Sequence, residues 1–386
     1  MIKKALTPCL VFFILLIVAC NDANEHKDKG DTTVYIDIQK NQPEAIAFND
    51  FIQDAQLIRL ESSDRILIGS ITKVLHFKGQ FYLHDTKSQK IHIFKEDGQF
   101  ISSIGKIGRG PDEILDIYDF DIDRKSGILH LLSVSSKAVQ QYDYNGNYIS
   151  TLNTGFQSFR IAAFSGEETA AFFINYFDPE PYNLRIVNQD SGIINLFPFP
   201  QGMFPMFFSF SGGLKSTISG RVMYSDVASP KIYEVKSNGE TTLRYEIDLG
   251  SEIWPEERRY EFNEFFQALA SFKLDFLGSK YLDTESILYF DFMDNNSYKD
   301  VYYSKKDSKL YIRKSNLTDD PFSKIITSPS GLTEDERFIS VISPTKILSP
   351  DIKALNLDKK YKDILLELDQ ISPDDNPLLL LYKVSI

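Results

Sequence analysis

Cysteine is almost missing from this sequence: its 386 residues carry two, Cys9 and Cys20, both near the start. A disulfide framework is thereby excluded, and the body must hold together through its core alone. Tryptophan appears once, as Trp254, which disfavours a stacking platform for sugars. Long basic tracts are lacking, and a formal charge of −12 leaves no electrostatic footprint for nucleic acid. There is no His-Glu-x-x-His, no Gly-x-Ser-x-Gly and no thiol beyond Cys20. The commonest zinc, serine and cysteine chemistries therefore have no starting point. The apolar run Leu10 to Val18 falls short of the roughly 20 residues that a transmembrane helix needs.

Core material is plentiful. At 42% hydrophobic and 13% aromatic, the chain can bury a substantial interior and is not disordered. Lys3 and Lys4, with the short apolar run after them, form the n- and h-regions of an export signal. That run ends Ile17-Val18-Ala19-Cys20, which resembles a bacterial lipobox, a signal whose cysteine is acylated and becomes the mature N-terminus. An ordinary signal cleaved at a small residue is the competing reading. The expectation is a signal peptide over 1–19, a lipidated Cys20 with a polar tether over 20–34, and one folded body over 35–386. Several acyl chains hold a protein firmly on a membrane, whereas one alone is marginal. Removing Lys3 and Lys4 from a chain of charge −12 leaves the body at −14. So acidic a body is repelled by anionic headgroups and stands off the surface.

The body repeats itself. "FYLHDTKSQKIHIFKEDGQFISSIG" and "LHLLSVSSKAVQQYDYNGNYISTLN" align at an offset of about 48, matching Leu83 with Leu131, Ile91 with Val139, Phe94 with Tyr142 and Gly98 with Gly146. "MYSDVASPKIYEVKSNGETTLRYEI" is a third copy, and "YNLRIVNQDSGIINLF" and "DVYYSKKDSKLYIRKS" are weaker ones. Periods of about 40–50 residues holding four short strands mark a β-propeller. Asp97-Gly98, Asn145-Gly146 and Asn238-Gly239 sit between alternating segments as hairpin signals, expected here as turns with both residues at positive φ. Inner strands are expected near Ile71, Ile117, Phe159, Leu214, Phe272 and Phe338, which makes six blades. Ala55 to Ser62 has no blade of its own and should join the C-terminal "NPLLLLYKVSI" to close the ring. The fold class expected is all-β, a six-bladed propeller with short helical insertions. Two such helices are indicated by Phe262, Phe265, Phe266 and Leu269 at helical spacing, and by Leu357, Tyr361, Ile364, Leu365 and Leu368.

The glycine-rich stretch Gly105-x-x-Gly108-x-Gly110-Pro111 raises a phosphate cradle as a candidate. A cradle of that kind opens a helix. Here Ile114 to Asp123 follows and ends in the alternating strand Asp119-Phe120-Asp121-Ile122-Asp123, so the phosphate reading fails. A calcium loop starting at Asp119 would want glycine and glutamate where Arg124 and His130 stand. Together, "DAQLIRLESSDRILIGSITKV", the glycine element Gly108-Arg109-Gly110-Pro111-Asp112-Glu113 and "DDNPLLLLYKV" resemble the six-bladed β-propeller lipoproteins of Bacteroidetes, distantly similar to NHL-repeat proteins. The resemblance implies fold, export and an outer-membrane address, facing the periplasm or displayed outward. It carries over no catalytic residue.

Some NHL-like propellers are metal-dependent enzymes, so the histidines were weighed for ligation. His26 lies in the tether, His76, His84 and His92 in the first blade and His130 in the second, whereas an axial site draws ligands from several blades. No metal, cofactor or catalytic residue is expected. Four inner strands carry a base four positions before the residue preceding their turn: Lys73, Arg160, Lys215 and Lys273. On successive blades these would ring one mouth of the channel and focus an anionic ligand such as a carboxylate, sulfate or uronate. Pairing with blade acids is the bland alternative. Arg109, Asp112, Tyr176 and Asp178 should share that face, and the aromatic loop Phe197 to Gly213 is a candidate partner contact. The function expected is a lipid-anchored envelope module that binds or scaffolds an anionic glycan, another anion or a protein partner. The alternatives are a lyase or hydrolase acting on an anionic substrate in the channel, and a purely structural subunit.

Overall fold

In a computed structural model, the described residues run from 32 to 386, apart from 42, 48–49, 51, 111, 168, 175–181, 189–191, 199–212, 227–228, 251–257, 259–260, 262, 265–266, 269–270, 272–274, 295–296, 314–325 and 350–369. Residues Thr33–Ile386 form one compact unit. Three strands precede the repeats: β1 (Val34–Asp37), β2 (Glu44–Ile46) and β3 (Ile52–Arg59). Blade 1 is β4 (Ile71–Phe77), β5 (Gln80–Asp85), β6 (Lys90–Lys95) and β7 (Phe100–Ile104); blade 2 is β8 (Asp119–Ile122), β9 (Leu129–Ser133), β10 (Ala138–Tyr142) and β11 (Tyr148–Asn153). Blade 3 is β12 (Arg160–Ala163), β13 (Thr169–Phe173), β14 (Tyr182–Asn188) and β15 (Gly192–Pro198); blade 4 is β16 (Leu214–Ser216), β17 (Val222–Ser225), β18 (Lys231–Val235) and β19 (Thr241–Asp248). Blade 5 is β20 (Phe276–Asp283), β21 (Ile287–Asp294), β22 (Ser297–Ser304) and β23 (Leu310–Arg313). Blade 6 takes β24 (Gly331–Leu332), β25 (Phe338–Ile342) and β26 (Leu378–Val384) from the C-terminus and β3 from the N-terminus.

The burial of each strand follows its distance from the axis. Inner β8 and β9 are buried along their whole length, whereas outer β11 and β15 are half exposed. A blade buried on both faces needs a neighbour on each side, and the apolar clusters supply them. Phe77, Tyr82 and Ile93 of blade 1 pack on Phe120 and Leu131 of blade 2, and five further clusters join each later pair of blades. The last sets Leu379 and Leu381 of blade 6 against Val74, Phe81 and Phe94 of blade 1. The chain is therefore an all-β, six-bladed propeller, fastened where β3 pairs antiparallel with β26 from Ile52↔Val384 to Arg59↔Leu378.

Several local expectations are corrected. Phe338 opens the second strand of blade 6; the inner strand is the two-residue β24, too short to show any periodicity. The inner strands of blades 2 and 3 open at Asp119 and Arg160, and that of blade 5 at Phe276, Phe272 lying outside the described residues. The Asx-Gly hairpins exist, but only Gly98, Gly146 and Gly239 adopt positive φ. In each, the glycine N–H returns to the carbonyl three residues back, as Gly98 does to Lys95 at 2.9 Å. This is a type I turn with a glycine bulge, an alternative that also meets the right-handed twist of the flanking strands. Unforeseen by the repeat, β1 and β2 add as parallel fifth strands on the rims of blades 4 and 5. A four-residue helix, α1 (Pro344–Ile347), follows β25. Of the expected helical stripes, Phe262, Phe265, Phe266 and Leu269 lie outside the described residues, while Asn263, Glu264, Gln267 and Ala268 between them are helical; Leu357 to Leu368 lies outside the described residues entirely. Among the described residues no helix is long and apolar enough to cross a membrane.

Candidate functional site

All six inner strands contribute to one central cavity of about 720 Å³. Its wall includes Lys73 from β4, Asp119 and Asp121 from β8, Arg160 from β12, Lys215 from β16, Lys280 and Asp283 from β20, and Leu332 from β24. His84, Tyr118 and Arg124 complete its polar lining on the side of blades 1 and 2.

The lining acids are committed to the wall. In the run Asp119 to Asp123, alternate carboxylates face blade 3: Asp119 Oδ2 accepts the Ile161 N–H at 3.0 Å, Asp121 Oδ2 the Ala163 N–H at 2.8 Å, and Asp123 Oδ1 the Gly166 N–H at 2.8 Å. Neighbouring inner strands do not share a sheet. The side chains of β8 therefore satisfy the amides that β12 turns toward it. Asp121 also accepts the Ser216 hydroxyl at 2.9 Å, and its burial raises its pKa. Asp283 is held by Arg221 at 2.9 Å, by Lys305 and by the Tyr245 hydroxyl.

The cations divide differently. Lys73 Nζ donates to Asp119 Oδ1 at 3.0 Å and to the Phe120 carbonyl at 2.6 Å. Arg160 donates to the Phe159 carbonyl and lies over the Tyr118 ring. Lys215 Nζ reaches the carbonyls of Ser279 (3.3 Å) and Tyr281 (3.2 Å) and sits 4.2 Å from the centre of the Tyr281 ring. Among the described residues no carboxylate is within ion-pairing distance of Arg160, Lys215 or Lys280. Enclosure of the Lys215 amine, then the charge of Lys73, and less strongly those of Arg160 and Lys280, push it down to about 7 against the pull of Asp291.

The surrounding histidines are structural. His84 bonds the Ile117 carbonyl (3.1 Å) and the Thr72 hydroxyl, His92 pairs with Ser103 at 2.7 Å, and His76 receives the Glu334 N–H at 3.2 Å. Burial lowers the pKa of each, and that of His130 to about 4. Among the described residues no group of three or more potential ligands is placed to hold a metal ion.

A family model described as "Domain of unknown function (DUF4934)" matches residues 33–383. The chain belongs to the DUF4934 family. A Bacteroides fragilis crystal structure, of a protein described as exported, is similar over 92% of this chain and 100% of its own, with a TM-score of 0.74 and 13% identity. A DUF4221-family structure from Bacteroides vulgatus is similar over 86% of this chain and 97% of its own, with a TM-score of 0.54 and 9% identity. At such identities the likeness speaks for the fold alone. No curated protein matches the sequence.

In this DUF4934 propeller, three of the four bases picked out by sequence, Lys73, Arg160 and Lys215, line one cavity. The fourth, Lys273, lies outside the described residues, as do Tyr176, Asp178, Trp254, the lipid-attachment candidate Cys20 and nearly all of the aromatic loop. Arg109 and Asp112 occupy the exposed crossing between β7 and β8, away from the cavity lining. There the glycine element cradles a carboxylate of its own: Glu113 Oε2 accepts the Gly110 N–H at 2.8 Å, and Glu113 Oε1 pairs with Lys106 at 3.1 Å. A Cβ on Gly108 would stand 2.0 Å from Glu113 Oε2, which is why glycine is needed.

Lys280 was missed because the inner strand of blade 5 was expected near Phe272 with its turn after Leu277, whereas β20 is Phe276–Asp283 and carries a bulge between Leu277 and Tyr281. The Lys280 N–H bonds the Asp291 carboxylate at 3.0 Å, and Gly278 leaves room for that carboxylate. Counting residues back from a turn cannot register such an insertion. His84 was missed as a lining residue because strand alternation does not tell the axis from the neighbouring blade. Arg124 bonds the His76 carbonyl at 2.8 Å, and its buried Nε has no hydrogen-bond partner among the described residues.

Proposed function

We propose that this chain is an exported, lipid-anchored propeller that binds a small anionic ligand in its central channel, serving as a binding or scaffolding module of the bacterial envelope. The observation that carries this reading is the imbalance in the cavity wall. Its acids are each engaged by backbone amides, hydroxyls or bases, whereas Arg160, Lys215 and Lys280 line it with no carboxylate of the described residues within ion-pairing distance. In a protein of charge −12, such a local cationic field attracts and orients an anion. The lipobox ending at Cys20, and the likeness to a B. fragilis protein described as exported, support the envelope address and the kinship to Bacteroidetes lipoproteins. An anionic glycan end or an acidic group of an envelope protein fits the same chemistry. A hydrolase or lyase calls for carboxylates or histidines converging from three or more blades; among the described lining residues the acids are tied and the histidine is His84 of blade 1.

The test is a thermal-shift and calorimetric panel of sulfate, small carboxylates and uronate oligosaccharides. Stabilisation that weakens with salt, and that the Arg160→Gln/Lys215→Gln double variant loses at least tenfold in affinity, is expected. Unchanged affinity in that variant removes the cavity from consideration. For the address, Cys20→Ser should move the protein from the membrane fraction to the soluble one.

A further inference from the structure

The anion reading leaves Lys215 underused. A plain anion site would be served as well by arginine, whose charge cannot be lost. What the fold builds is an enclosed amine. The Ser279 and Tyr281 carbonyls, brought out by the bulge in β20, fix the Nζ from one side. The Tyr281 ring lies against it, locked by a 2.5 Å bond from its hydroxyl to the Gly213 carbonyl. Gly213 is glycine because a Cβ there would stand 2.5 Å from that ring. Lys73 from β4, Arg160 from β12 and Lys280 from β20 line the same cavity, and their charges oppose a charge on the amine, while Asp291 of β21 favours it. Cations crowded around an enclosed lysine favour its neutral, nucleophilic form. The same cations remain charged and hold a carboxylate.

We propose that Lys215 is a reactive amine, and that the channel captures small carboxylates bearing an aldehyde or ketone by forming an imine with its Nζ. The proposal rests on the anion reading and deepens it to a ligand class, the oxo acids. The step is a balanced condensation. The Nζ lone pair attacks the carbonyl carbon, the C–O bond breaks, and the oxygen leaves as water with both amine hydrogens. No oxidant or reductant takes part. Arg160 and Lys280 hold the carboxylate while the Tyr281 ring packs against the new C=N bond.

The test incubates the whole folded protein with glyoxylate or pyruvate, reduces with borohydride and maps the adduct by mass spectrometry. A single adduct on Lys215, absent from Lys215→Arg, is the expected result. Sulfate stabilisation of the unaltered protein, followed alongside, reads the anion site apart from the adduct. Should Lys215→Arg fail to fold, trace acetic anhydride labelling of the unaltered protein across pH replaces it. Lys215 should then react about tenfold or more faster than surface lysines near neutral pH, with a midpoint near 7. An adduct scattered over surface lysines, or a Lys215 that labels no faster than they do, overturns the proposal. If sulfate still stabilises the protein in that case, the anion site survives and only the imine is lost. If sulfate does nothing either, both readings fall.

Discussion

At the residue scale, the hairpin glycines show how a local turn became a joint between blades. A Cβ on Gly98 would stand 2.0 Å from the Arg59 carbonyl of blade 6. On Gly146 it would meet Ile104 of blade 1 at 2.8 Å, and on Gly239 Ile194 of blade 3 at 2.9 Å. Each turn leans on the outer strand of the blade before it. Gly155 has a similar φ, +76 against +87, yet nothing within 4 Å. Gly155→Ala should therefore cost about 1 kcal/mol from backbone strain alone, and Gly98→Ala about 2 kcal/mol or more, because backbone must also move. Equal losses in urea denaturation would mean that the turn of blade 1 does not brace the closure. The Asx-Gly pairs were legible as hairpins from sequence; the turn type was not, since type I′ and type I-plus-bulge share that dipeptide.

At the scale of elements, the closure depends on one polar side chain. Asn376, buried just before β26, accepts the Ile68 N–H at 2.8 Å and donates to the Glu61 carbonyl at 2.7 Å and the Ile66 carbonyl at 3.0 Å. These bonds tie the C-terminal strand to the segment between β3 and β4, more than 300 residues away in sequence. Asn376→Ala strands one buried and two part-buried backbone groups and should cost about 2 kcal/mol. A melting temperature unchanged from the parent would show that the β3–β26 ladder closes the ring unaided. The meeting of β3 and β26 was readable, because an unpaired early strand and an apolar C-terminal run fit one blade. The latch was not, since a lone asparagine in "DDNPLL" carries no periodic signal. The bulge that delivers Lys280 to the cavity was hidden for the same reason.

For the whole molecule, the four body histidines set the response to acid. His76, His84, His92 and His130 are buried, and each holds its folded pKa below the usual 6.5, His130 at about 4. Below pH 6.5 the unfolded chain binds protons that the folded chain refuses, so stability is lost as pH falls from about 6.5 toward 4. Asp291, raised by burial to about 6, and Asp121, also raised, work the other way, since the fold keeps protons there that the unfolded chain has released. Four groups outweigh two, and the urea midpoint should fall steadily across that window. His130→Gln should flatten the slope by about 1.4 kcal/mol per pH unit between pH 6 and 4.5. An identical slope in parent and variant would show that His130 takes up its proton without unfolding.

Sequence alone determined the module, its number and its end-to-end closure, because repeated apolar alternation and paired turn residues are local signals that recur in register. It also marked four bases, of which Lys73, Arg160 and Lys215 lie on the inner strands of blades 1, 3 and 4. Tertiary structure decided what those bases do. Lys73 found an acid on the next blade, Arg160 and Lys215 found none among the described residues, and β20 with its bulge added Lys280. Whether a charge is answered depends on which strands stand side by side around the axis, and pairing across blades leaves no period in the chain.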